Sequence, residues 1–486
     1  MEANKNFFVG RQTQLKELRD VLSSNNPEFV VVYGRRRVGK TLLIREAACN
    51  DFTFYFTASD NISKSRQLSN FADELARQFN QTTPLSFTSW FEAFSKLGDF
   101  IEGLPKKQNK IIFLDEVPWA DTPKSYFLQA LENFWNVRCA FHPDIKLIVC
   151  GSATSWILNK IIGNRGGLYG RITHRFKIEP FNLYESSLYF KEKGFNYSKK
   201  DIAEIYMIMG GIPYYFSLMK KDLTPIKNID RLFFSPDAPL VKEFNYLYSS
   251  IYKKPDLYLN VVKHLAAIGK GMTRQQLIKK LNITGNGGFT NVLRELEECG
   301  FIRSYLPFEI SHRKKTDKNS PYTLYQLIDL FSLFYLRFIK ENKYYNENFW
   351  TMNLRTPALN TWRGISFEKL CLWHIPQIKE ALGISGVDAR LCSWIGAFDG
   401  EKAQIDLLID RKDNVVNICE MKYSAEEFII TKKYYQEFNH KLNIFLEATK
   451  TRKNPIVTFI TANGIKNNPY VDLAQKQIEL SQLFKF

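Results

Sequence analysis

The segment at residues 29–43, FVVVYGRRRVGKTLL, constrains the fold more than any other part of the chain. Residues 29–33 have the length and the β-branched content of a strand buried on both faces of a parallel sheet. They lead into the pattern G-x-x-x-x-G-K-T at residues 34–41, and an apolar helical pattern follows. Strand, glycine loop and helix in this order are the context of a phosphate-binding loop. The sequence therefore predicts an α/β fold with a nucleotide-phosphate site at this loop.

Each part of the loop has a chemical role towards a nucleoside triphosphate. Backbone N–H groups and the positive end of the following helix are predicted to face the phosphates. Lys40 is expected to reach the β- and γ-phosphates, and the Thr41 hydroxyl to bind Mg²⁺. The alternative is a glycine turn with an unrelated lysine, which leaves the flanking strand and helix unexplained. The predicted ATP contacts are Gly34, Arg35, Arg36, Arg37, Val38, Gly39, Lys40, Thr41 and Leu42.

The three loop arginines, residues 35–37, are expected to be solvated or to touch phosphate from outside, with no separate role.

Further along the chain, the run IIFLDEVPW at 111–119 is an apolar strand that ends in two acids. Asp115 is predicted to hold the Mg²⁺ shell, and Glu116 to orient or deprotonate the attacking water. Two solvated acids at a strand end are the alternative, which the upstream phosphate loop disfavours.

A third buried strand is predicted at KLIVCGSAT, residues 146–154. Its polar end could place a side chain between the acidic pair and the γ-phosphate, and Ser152 is the predicted residue. A helix N-cap is the alternative role for Ser152. The basic stretch that follows offers Arg171 and Arg175 as charge-stabilising arginines, supplied in cis or by a neighbouring subunit. A basic surface loop accounts for these two arginines equally well.

Size and charge limit the remaining possibilities. A chain of 486 residues suggests roughly three domains. The formal net charge of +17 favours an anionic partner, with DNA as the first candidate, although solubility or a basic proteome also explains it. No apolar stretch approaches the ~20 residues of a membrane span, and we expect a cytoplasmic protein without a membrane partner. The seven cysteines show no zinc spacing and are expected to be reduced, mostly core thiols.

The middle of the chain is predicted to form a winged helix, with three short helices from Asp256 onward and a two-stranded basic hairpin. The third helix offers Thr290, Asn291 and Arg294 as exposed groups for a major groove. The wing carries Arg313, Lys314 and Lys315 near phosphates. DNA binding and a purely protein-packing role remain equally open for this module. The stretch YQLIDLFSLFYLRFI at 325–339 is expected to be an aromatic helix.

The last part of the chain places acids and a lysine on predicted neighbouring elements. Asp406 lies in one strand, and Glu420 and Lys422 lie two residues apart in the next, so that the latter two share a face. With Glu368 from a preceding helix, these carboxylates could hold Mg²⁺ while Lys422 positions the attacking water. This arrangement predicts metal-assisted phosphodiester hydrolysis. The alternative is a scaffold whose acids are merely solvated.

A later helix offers Tyr434 and Gln436 as supporting residues for this carboxyl-terminal site.

Several motifs together resemble a known group: FVGR, GRRRVGKT, IIFLDEVPW, VCGSAT and GLYGR followed by PF. Over residues 6–250 the chain resembles the AAA+-related ATPases of the archaeal and bacterial ATPase group, on the STAND side of the P-loop NTPases. The resemblance implies that FVGR lies beside the adenine and that GGIP at 210–213 opens a helical lid. It also implies a nucleotide-driven switch, often a homo-oligomer.

The order E…D…E-x-K in the last part resembles the PD-(D/E)XK nuclease superfamily, a domain that closes many ATPases of that group. The signature proline is absent, because Gln404 and Ile405 precede Asp406. The fold class expected is a multidomain α/β protein. Its domains are a P-loop ATPase core at 1–180, a helical lid at 181–252, a winged helix with linker helix at 253–355 and a nuclease-like domain at 356–486.

The expected function is ATP hydrolysis coupled to DNA binding and to metal-dependent DNA cleavage, with ATP and Mg²⁺ as cofactors. One alternative is a non-cleaving, STAND-like regulatory switch that keeps the nuclease fold as a scaffold. The other is transcription regulation through the winged helix. The residues themselves name neither the trigger nor the DNA substrate.

Overall fold

The structure is a computed structural model that describes residues 8–105, 109–152, 154–163, 166–249, 251–252, 254–285, 287–308, 323–340 and 346–485. The chain divides into two compact units, one reaching to Pro180 and the other beginning at Phe181, with residues 250–253 assigned to the first. The predicted wing residues Arg313, Lys314 and Lys315 lie outside the described residues. None of the helices in the described ranges combines the length and hydrophobicity that a membrane crossing requires.

The strands and helices are numbered in their order along the chain. The strands are β1 (Glu28–Tyr33), β2 (Phe54–Thr57), β3 (Lys110–Asp115), β4 (Ile145–Gly151), β5 (His174–Lys177), β6 (Met272–Thr273), β7 (Ile302–Pro307), β8 (Leu324–Leu327), β9 (Ala389–Phe398), β10 (Glu401–Arg411), β11 (Val415–Lys422), β12 (Asn454–Thr461) and β13 (Lys476–Glu479). The helices up to the end of the first unit are α1 (Gln12–Leu22), α2 (Lys40–Ala47), α3 (Lys64–Gln78), α4 (Trp90–Glu102), α5 (Val117–Ala120), α6 (Phe127–Phe134) and α7 (Thr154–Trp156). Those of the second unit are α8 (Leu183–Glu192), α9 (Lys199–Met209), α10 (Pro213–Ser217), α11 (Pro225–Phe233), α12 (Glu243–Ser249), α13 (Asp256–Ile268), α14 (Arg274–Leu281), α15 (Gly287–Glu298), α16 (Leu330–Phe334), α17 (Phe349–Asn353), α18 (Pro357–Trp373), α19 (Ile375–Ala381) and α20 (Lys432–Thr449).

The first unit is built on a five-stranded sheet in the order β2-β3-β4-β1-β5. Every strand pair in it is parallel, which confirms the α/β class predicted from the buried strand ahead of the loop. Residues Phe29 to Val32 of β1 are fully buried, as expected for an inner strand of a parallel sheet that is covered on both faces. Strand β4 lies between β1 and β3. The carboxyl ends of these three strands therefore meet at one edge, where the loop, the acidic pair and Ser152 follow.

The second unit contains an eight-stranded sheet in the order β13-β12-β11-β10-β9-β7-β8-β6. Strands β9, β10 and β11 are antiparallel neighbours, whereas β11, β12 and β13 are parallel. A short parallel register that pairs Leu306 with Cys392 joins β7 to β9. The sheet of the middle segment is thus continuous with the sheet of the carboxyl-terminal segment.

The described part of the middle segment includes helices α13, α14 and α15 and strands β6, β7 and β8. Helices α13, α14 and α15 precede β7, and β8 pairs antiparallel with both β6 and β7. Thr273 caps α14 as predicted, because its side chain accepts a hydrogen bond from the backbone N–H of Gln276. In return, the Gln276 side chain accepts a hydrogen bond from the backbone N–H of Thr273. The predicted two-stranded hairpin, β7 and β8, is therefore extended by a third strand, the two-residue β6.

Two predicted element boundaries are wrong. The stretch 325–339 is not one helix, because its first residues form β8 and only then does Asp329 cap α16 by accepting the N–H of Ser332 at 3.0 Å. A short apolar run gives no periodicity that separates a strand from a buried helix. Strand β4 ends at Gly151, so the predicted strand to residue 154 is too long and Ser152 lies directly beyond its end.

The predicted lid segment packs within the second unit through buried polar contacts. His374 is fully buried, and its Nε2 accepts the backbone N–H of Leu183 at 2.9 Å while Nδ1 bonds the carbonyl of Leu370. Burial lowers the pKa of His374 to about 4, so the imidazole is neutral at physiological pH. Arg363 of α18 adds a 2.7 Å ion pair to Glu204 of α9. These contacts fasten α8 and α9 to the carboxyl-terminal helices.

Candidate functional site

Lys40 lies at the start of α2 with its ammonium group turned back over the loop. Its Nζ donates to the carbonyls of Gly34 and Arg35, both at 3.1 Å, and to the Ser152 hydroxyl at 2.9 Å. All three donors of the ammonium group are therefore engaged within the cradle. The side chain is held where a phosphate at the loop can exchange with these contacts.

Thr41 and Asp115 meet across the sheet edge. The Thr41 hydroxyl donates to Asp115 Oδ2 at 2.8 Å, and the carboxylate of Asp115 is buried. The other oxygen of Asp115, Oδ1, accepts the backbone N–H of Glu116 at 2.9 Å. A hydroxyl and a carboxylate side by side are hard oxygen donors, which is the ligand chemistry that Mg²⁺ prefers.

Glu116 is held by Ser152 through two bonds. The Ser152 hydroxyl donates to Glu116 Oε1 at 2.6 Å, and the Ser152 backbone N–H donates to Oε2 at 3.0 Å. Glu116 has a φ of 49°, in the left-handed region, which disfavours residues other than glycine by ~1 kcal/mol or more. The backbone strain and the paired hydrogen bonds fix one orientation of this carboxylate beside Lys40.

Gly34 is required by its surroundings. A Cβ at this position would lie 2.1 Å from the carbonyl oxygen of Ile178, and its φ of 148° is one that L side chains rarely adopt. The loop therefore begins in close contact with the chain that follows β5.

Arg11 is a site residue that the sequence analysis did not assign, although it belongs to the FVGR motif. Its side chain is buried, and one terminal nitrogen donates to the carbonyl of Val38 in the loop at 2.8 Å and to the carbonyl of Glu179 at 2.6 Å. Arg11 thus connects the phosphate loop to the segment after β5. An arginine ahead of α1 carries no spacing signal for such a contact, because Val38 of the loop lies 27 residues away.

The arginines of the basic stretches occupy different environments. Arg35 is only 4% exposed, so of the two expectations for the loop arginines, solvation or contact with phosphate from outside, solvation does not hold for this residue. Its carbonyl accepts a hydrogen bond from Lys40. Arg171 lies before β5 and Arg175 within it, and both are exposed. The structure therefore places neither at the buried contacts of Lys40.

The carboxyl-terminal residues gather around Glu420 of β11. Lys422 Nζ contacts Glu420 Oε1 at 2.8 Å, which confirms that these side chains share a face. The Tyr434 hydroxyl of α20 also donates to Oε1 at 3.0 Å, as expected for a supporting residue, whereas Gln436 is exposed. Lys441, which the sequence analysis missed, donates to Oε2 at 2.8 Å.

A helical spacing could have identified Lys441. Tyr434 and Lys441 are seven residues apart on α20, so they lie on one face two turns apart. Burial alone would raise the pKa of Glu420, but the charges of Lys441 and Lys422 hold it below its usual value. Glu420 is therefore an ionised carboxylate that is shared between two ammonium groups.

Asp406 and Glu368 complete the carboxyl-terminal set. Asp406 lies on β10 next to Leu407, which pairs with Cys419 of β11. Its Oδ1 accepts a hydrogen bond from Gln404 Nε2 at 2.7 Å. Burial raises the pKa of Glu368 to about 7, and the charges of Asp406 and Glu420 add to this rise while Lys369 opposes it. The three carboxylates are thus close enough to influence one another electrostatically.

The donor types suit Mg²⁺, but their positions do not form a metal centre. Among the residues that the structure describes, no three His, Cys, Asp or Glu side chains are grouped so that they could hold a metal ion. Both oxygens of Glu420 are already taken by lysine and tyrosine donors. The predicted convergence of Glu368, Asp406 and Glu420 on one ion is therefore not the arrangement in the structure.

The candidate DNA-contacting residues of α15 differ in exposure. Asn291 and Arg294 are exposed, and Arg294 lies 3.8 Å from Glu298. Thr290 is half-buried and its hydroxyl accepts the Nε–H of Arg274 at 3.1 Å, so the expectation that it is an exposed reading group is wrong. This hydrogen bond ties α15 to α14.

The parallel sheet and the Lys40–Thr41–Asp115–Glu116 arrangement define a P-loop ATPase domain. Residues 8–219 match the model of a family described as an ATPase domain predominantly from Archaea. The match covers the amino-terminal part of the chain, which is therefore similar to that ATPase domain.

Individual proteins are similar over different lengths. An uncharacterised protein of Methanocaldococcus jannaschii is 26% identical over 441 residues, which cover 90% of this chain and 92% of that protein. An uncharacterised ATP-binding protein of the same organism is 42% identical over 40 residues, covering 8% of this chain and 68% of that protein. Among solved structures, a Walker-type ATPase of Pyrococcus abyssi covers 68% of this chain and 96% of its own, with 17% identity and a TM-score of 0.44. The ORC2 protein of Aeropyrum pernix covers 68% of this chain and 95% of its own, with 13% identity and a TM-score of 0.40.

Proposed function

We propose that this chain is an ATP-hydrolysing switch whose nucleotide site is formed by the phosphate loop and the ends of β3 and β4. The observation that carries this proposal is the bridge made by Ser152, which contacts Lys40 on one side and Glu116 on the other. A group that binds phosphate is thereby joined to a group that handles the attacking water. This coupling is what a site for phosphoryl transfer to water requires.

Each residue has a defined part in the proposed reaction. Lys40 binds the β- and γ-phosphates after exchanging its contacts to the loop carbonyls. Glu116, oriented by Ser152, accepts a hydrogen bond from the attacking water and takes its proton. Thr41 and Asp115 would hold Mg²⁺, which supplies charge neutralisation on the phosphate oxygens when it is bound.

The experiment that tests this assignment separates binding from turnover. Glu116→Gln keeps the shape of the side chain but removes the base, so we expect ATP affinity within about threefold of the wild type and turnover lowered by 10²-fold or more. Fluorescent-nucleotide titration and phosphate release measure the two quantities. Turnover at the wild-type rate in this variant contradicts the role of Glu116.

We also propose that the middle segment binds duplex DNA through α15. The net charge of +17 and the exposed Asn291 and Arg294 support this partner. The variant Asn291→Ala/Arg294→Ala should weaken duplex binding and lower the salt slope by about one, because one phosphate or base contact of Arg294 is lost. Lys432→Ala/Asn439→Ala on α20 is a control that likewise removes one cation and one amide side chain. Equal affinity in both variants would favour the protein-packing role instead.

Cleavage of DNA by the carboxyl-terminal segment is the finer proposal. Its support is the order of α18, β9, β10, β11, α20 and β12, with Glu368 on α18, Asp406 on β10 and Glu420 and Lys422 on β11. Plasmid, linear and single-stranded DNA incubated with Mg²⁺ or Mn²⁺, with and without ATP, should yield shorter products. Asp406→Ala and Lys422→Ala should abolish them while ATP turnover continues.

The second candidate is a regulatory switch that binds ATP without cutting DNA. The occupied oxygens of Glu420 favour it, because the structure does not gather the carboxylates as a metal centre. Intact DNA under every condition above, together with normal ATP turnover, would support this candidate over cleavage.

We further propose that Arg171 is supplied to the nucleotide site of a neighbouring copy, which its exposed position permits. Lys40→Ala lacks a working loop but keeps the arginine, and Arg171→Ala has the opposite defect. A mixture of the two should recover ATP turnover above the sum of the separate proteins. A strictly additive rate would contradict supply from a second copy.

A further inference from the structure

The second unit contains a cavity that none of the roles described above uses. Its volume is about 450 Å³, within the range of roughly 300–1,000 Å³ that is usual for small-molecule sites. Three helical segments form its walls: the end of α13, residues 333–340 of α16 and of the helical turn that follows it, and α18. All three walls therefore belong to one compact unit.

The charges around the cavity have one sign. Lys263 of α13 and Arg337 and Lys340 of the second wall line it, and the lining residues of the described chain include no acid. Lys263 is half-buried, whereas Arg337 and Lys340 are exposed. Within the described ranges, the side chains of these three residues make no hydrogen bond or ion pair. Three cations around one cavity favour an anion that carries more than one negative charge.

The rest of the wall is mostly apolar. Leu333, Leu336 and Ile365 supply aliphatic surface, and Trp362 is a further wall residue that is 2% exposed. Among the residues that the structure describes, the indole Nε1 of Trp362 has no hydrogen-bond partner. Buried donors in proteins are nearly always paired, so an acceptor on a bound molecule would complete this wall. The cavity thus combines cations at one side with an apolar surface at the other.

One buried hydrogen bond holds two of the walls together. Lys369 of α18 is 1% exposed, and its Nζ donates to the carbonyl of Gly269 at 3.2 Å. Gly269 follows α13 directly and itself lines the cavity. Separating the two helices would leave a buried ammonium group without this acceptor, which opposes such a movement. The cavity is therefore formed in advance, which lowers the ordering cost of binding.

We propose that this cavity binds a small phosphorylated ring compound, of which a nucleoside monophosphate is the simplest class. Lys263, Arg337 and Lys340 hold the phosphate group, and the guanidinium group of Arg337 offers paired donors to its oxygens. The aliphatic side chains of Leu333 and Leu336 contact the ring. The proposal concerns the second unit alone and goes beyond the ATP site, because it holds whether or not the first unit hydrolyses ATP.

Calorimetric titration of the purified, nucleotide-free chain with AMP tests the proposal. Adenosine and inorganic phosphate are the two halves of this probe, and each should bind at least tenfold more weakly than AMP, because each leaves part of the cavity unused. Phenyl phosphate distinguishes the source of the ring. Affinity equal to that of AMP supports a site for aryl phosphates in general, and weaker binding supports a site for nucleotides.

Three variants locate the probe in the cavity. Lys263→Met and Arg337→Gln each remove one charge, and we expect the dissociation constant for AMP to rise about tenfold in each. Ala267→Phe keeps every charge but occupies space at an exposed position of the wall, so AMP should again bind at least tenfold more weakly. Lys279→Met removes an exposed lysine of α14 and is the control, with AMP affinity equal to that of the wild type. Circular dichroism verifies that each variant is folded.

The phosphate loop is the competing site for AMP, and Lys40→Ala separates the two, because AMP affinity should stay at the wild-type level in this variant. Loss of AMP binding in Lys40→Ala with normal binding in Lys263→Met overturns the proposal. Absence of binding of both AMP and phenyl phosphate to the folded wild type also overturns it. So does weaker duplex DNA binding in Lys263→Met and Arg337→Gln with unchanged AMP affinity, which would assign these cations to a DNA surface. None of these outcomes depends on ATP turnover or DNA cleavage, so the proposed functions are tested separately.

Discussion

The hydroxyl of Ser152 donates a 2.6 Å hydrogen bond to the carboxylate of Glu116. The two residues follow the ends of β4 and β3, which are neighbouring parallel strands, so the sheet itself brings them together. The same hydroxyl accepts a hydrogen bond from the ammonium group of Lys40. Ser152 therefore connects the phosphate-binding side chain to the proposed base.

Substitution of Ser152 should therefore impair turnover more than binding. In Ser152→Ala the Glu116 carboxylate keeps the backbone N–H bond but loses the hydroxyl, so its orientation is less restricted. We expect kcat for ATP to fall by 10- to 100-fold with KM within about threefold. Ser152→Thr restores a hydroxyl and should recover most of the rate. An unchanged kcat in the alanine variant would show that the bond has no part in the reaction.

Arg11→Ala should weaken both the fold of the first unit and nucleotide binding. The guanidinium group is buried, and its loss leaves the carbonyls of Val38 and Glu179 without their donor, at a cost of about 1–3 kcal/mol. Urea unfolding and ATP titration measure the two effects. Arg19→Ala, which breaks an exposed pair with Glu46, is the control and should change stability by less than about 1 kcal/mol. Equal effects of the two variants would contradict the role given to Arg11.

Gly34→Ala should destabilise the loop severely. The added methyl group would lie 2.1 Å from a backbone carbonyl of Ile178, which cannot rotate away as a side chain could. We expect a loss of more than about 3 kcal/mol in the free energy of unfolding, together with loss of ATP binding. Gly103→Ala meets only ordinary contacts and should stay within about 0.5 kcal/mol. Similar unfolding midpoints for both variants would be inconsistent with this close approach.

Glu368 makes the stability of the second unit depend on pH. Its pKa of about 7 in the folded chain lies above the ordinary 4.5, so the folded state holds the proton more tightly than the unfolded state. Stability should consequently fall as the pH rises from about 4.5 to 7 and become constant above, by at most about 3 kcal/mol. Glu368→Gln removes this fall and should raise the melting temperature more at pH 8 than at pH 5.

The exposed Glu427 provides the matched comparison, since Glu427→Gln removes a carboxylate from the same segment without a burial effect. A melting temperature that changes equally at both pH values in the two variants would remove Glu368 as the cause.

The nucleotide-binding part of the fold follows from the sequence because its signals are local. A buried strand, a glycine loop and a helix are contiguous at residues 28–47, and the acids come directly after a second buried strand. Parallel strands then bring their carboxyl ends together without further information. Arg11 was not predicted as a site residue because its contacts with Val38 and Glu179 arise from tertiary packing. The spacing of residues along the chain does not indicate such contacts.

The carboxyl-terminal site shows the opposite situation. Strand alternation correctly placed Glu420 beside Lys422, yet it gave no information on which helix covers them. Lys441 reaches Glu420 from α20, 21 residues later, and its ammonium group contacts one oxygen of the carboxylate. The predicted helix at 325–339 failed for a related reason, because pairing of β8 with β7 outweighs the local preference of an apolar run.

The most direct measurement of the central claim is steady-state release of phosphate from ATP by the purified chain, compared with Lys40→Ala. Lys40 makes three hydrogen bonds within the loop cradle, and it is the side chain that is proposed to bind both the β- and the γ-phosphate. We predict Mg²⁺-dependent turnover in the wild type and a loss of at least 10²-fold in Lys40→Ala, with both proteins folded by circular dichroism. Full turnover in folded Lys40→Ala would contradict the assignment of this loop as the site of ATP hydrolysis.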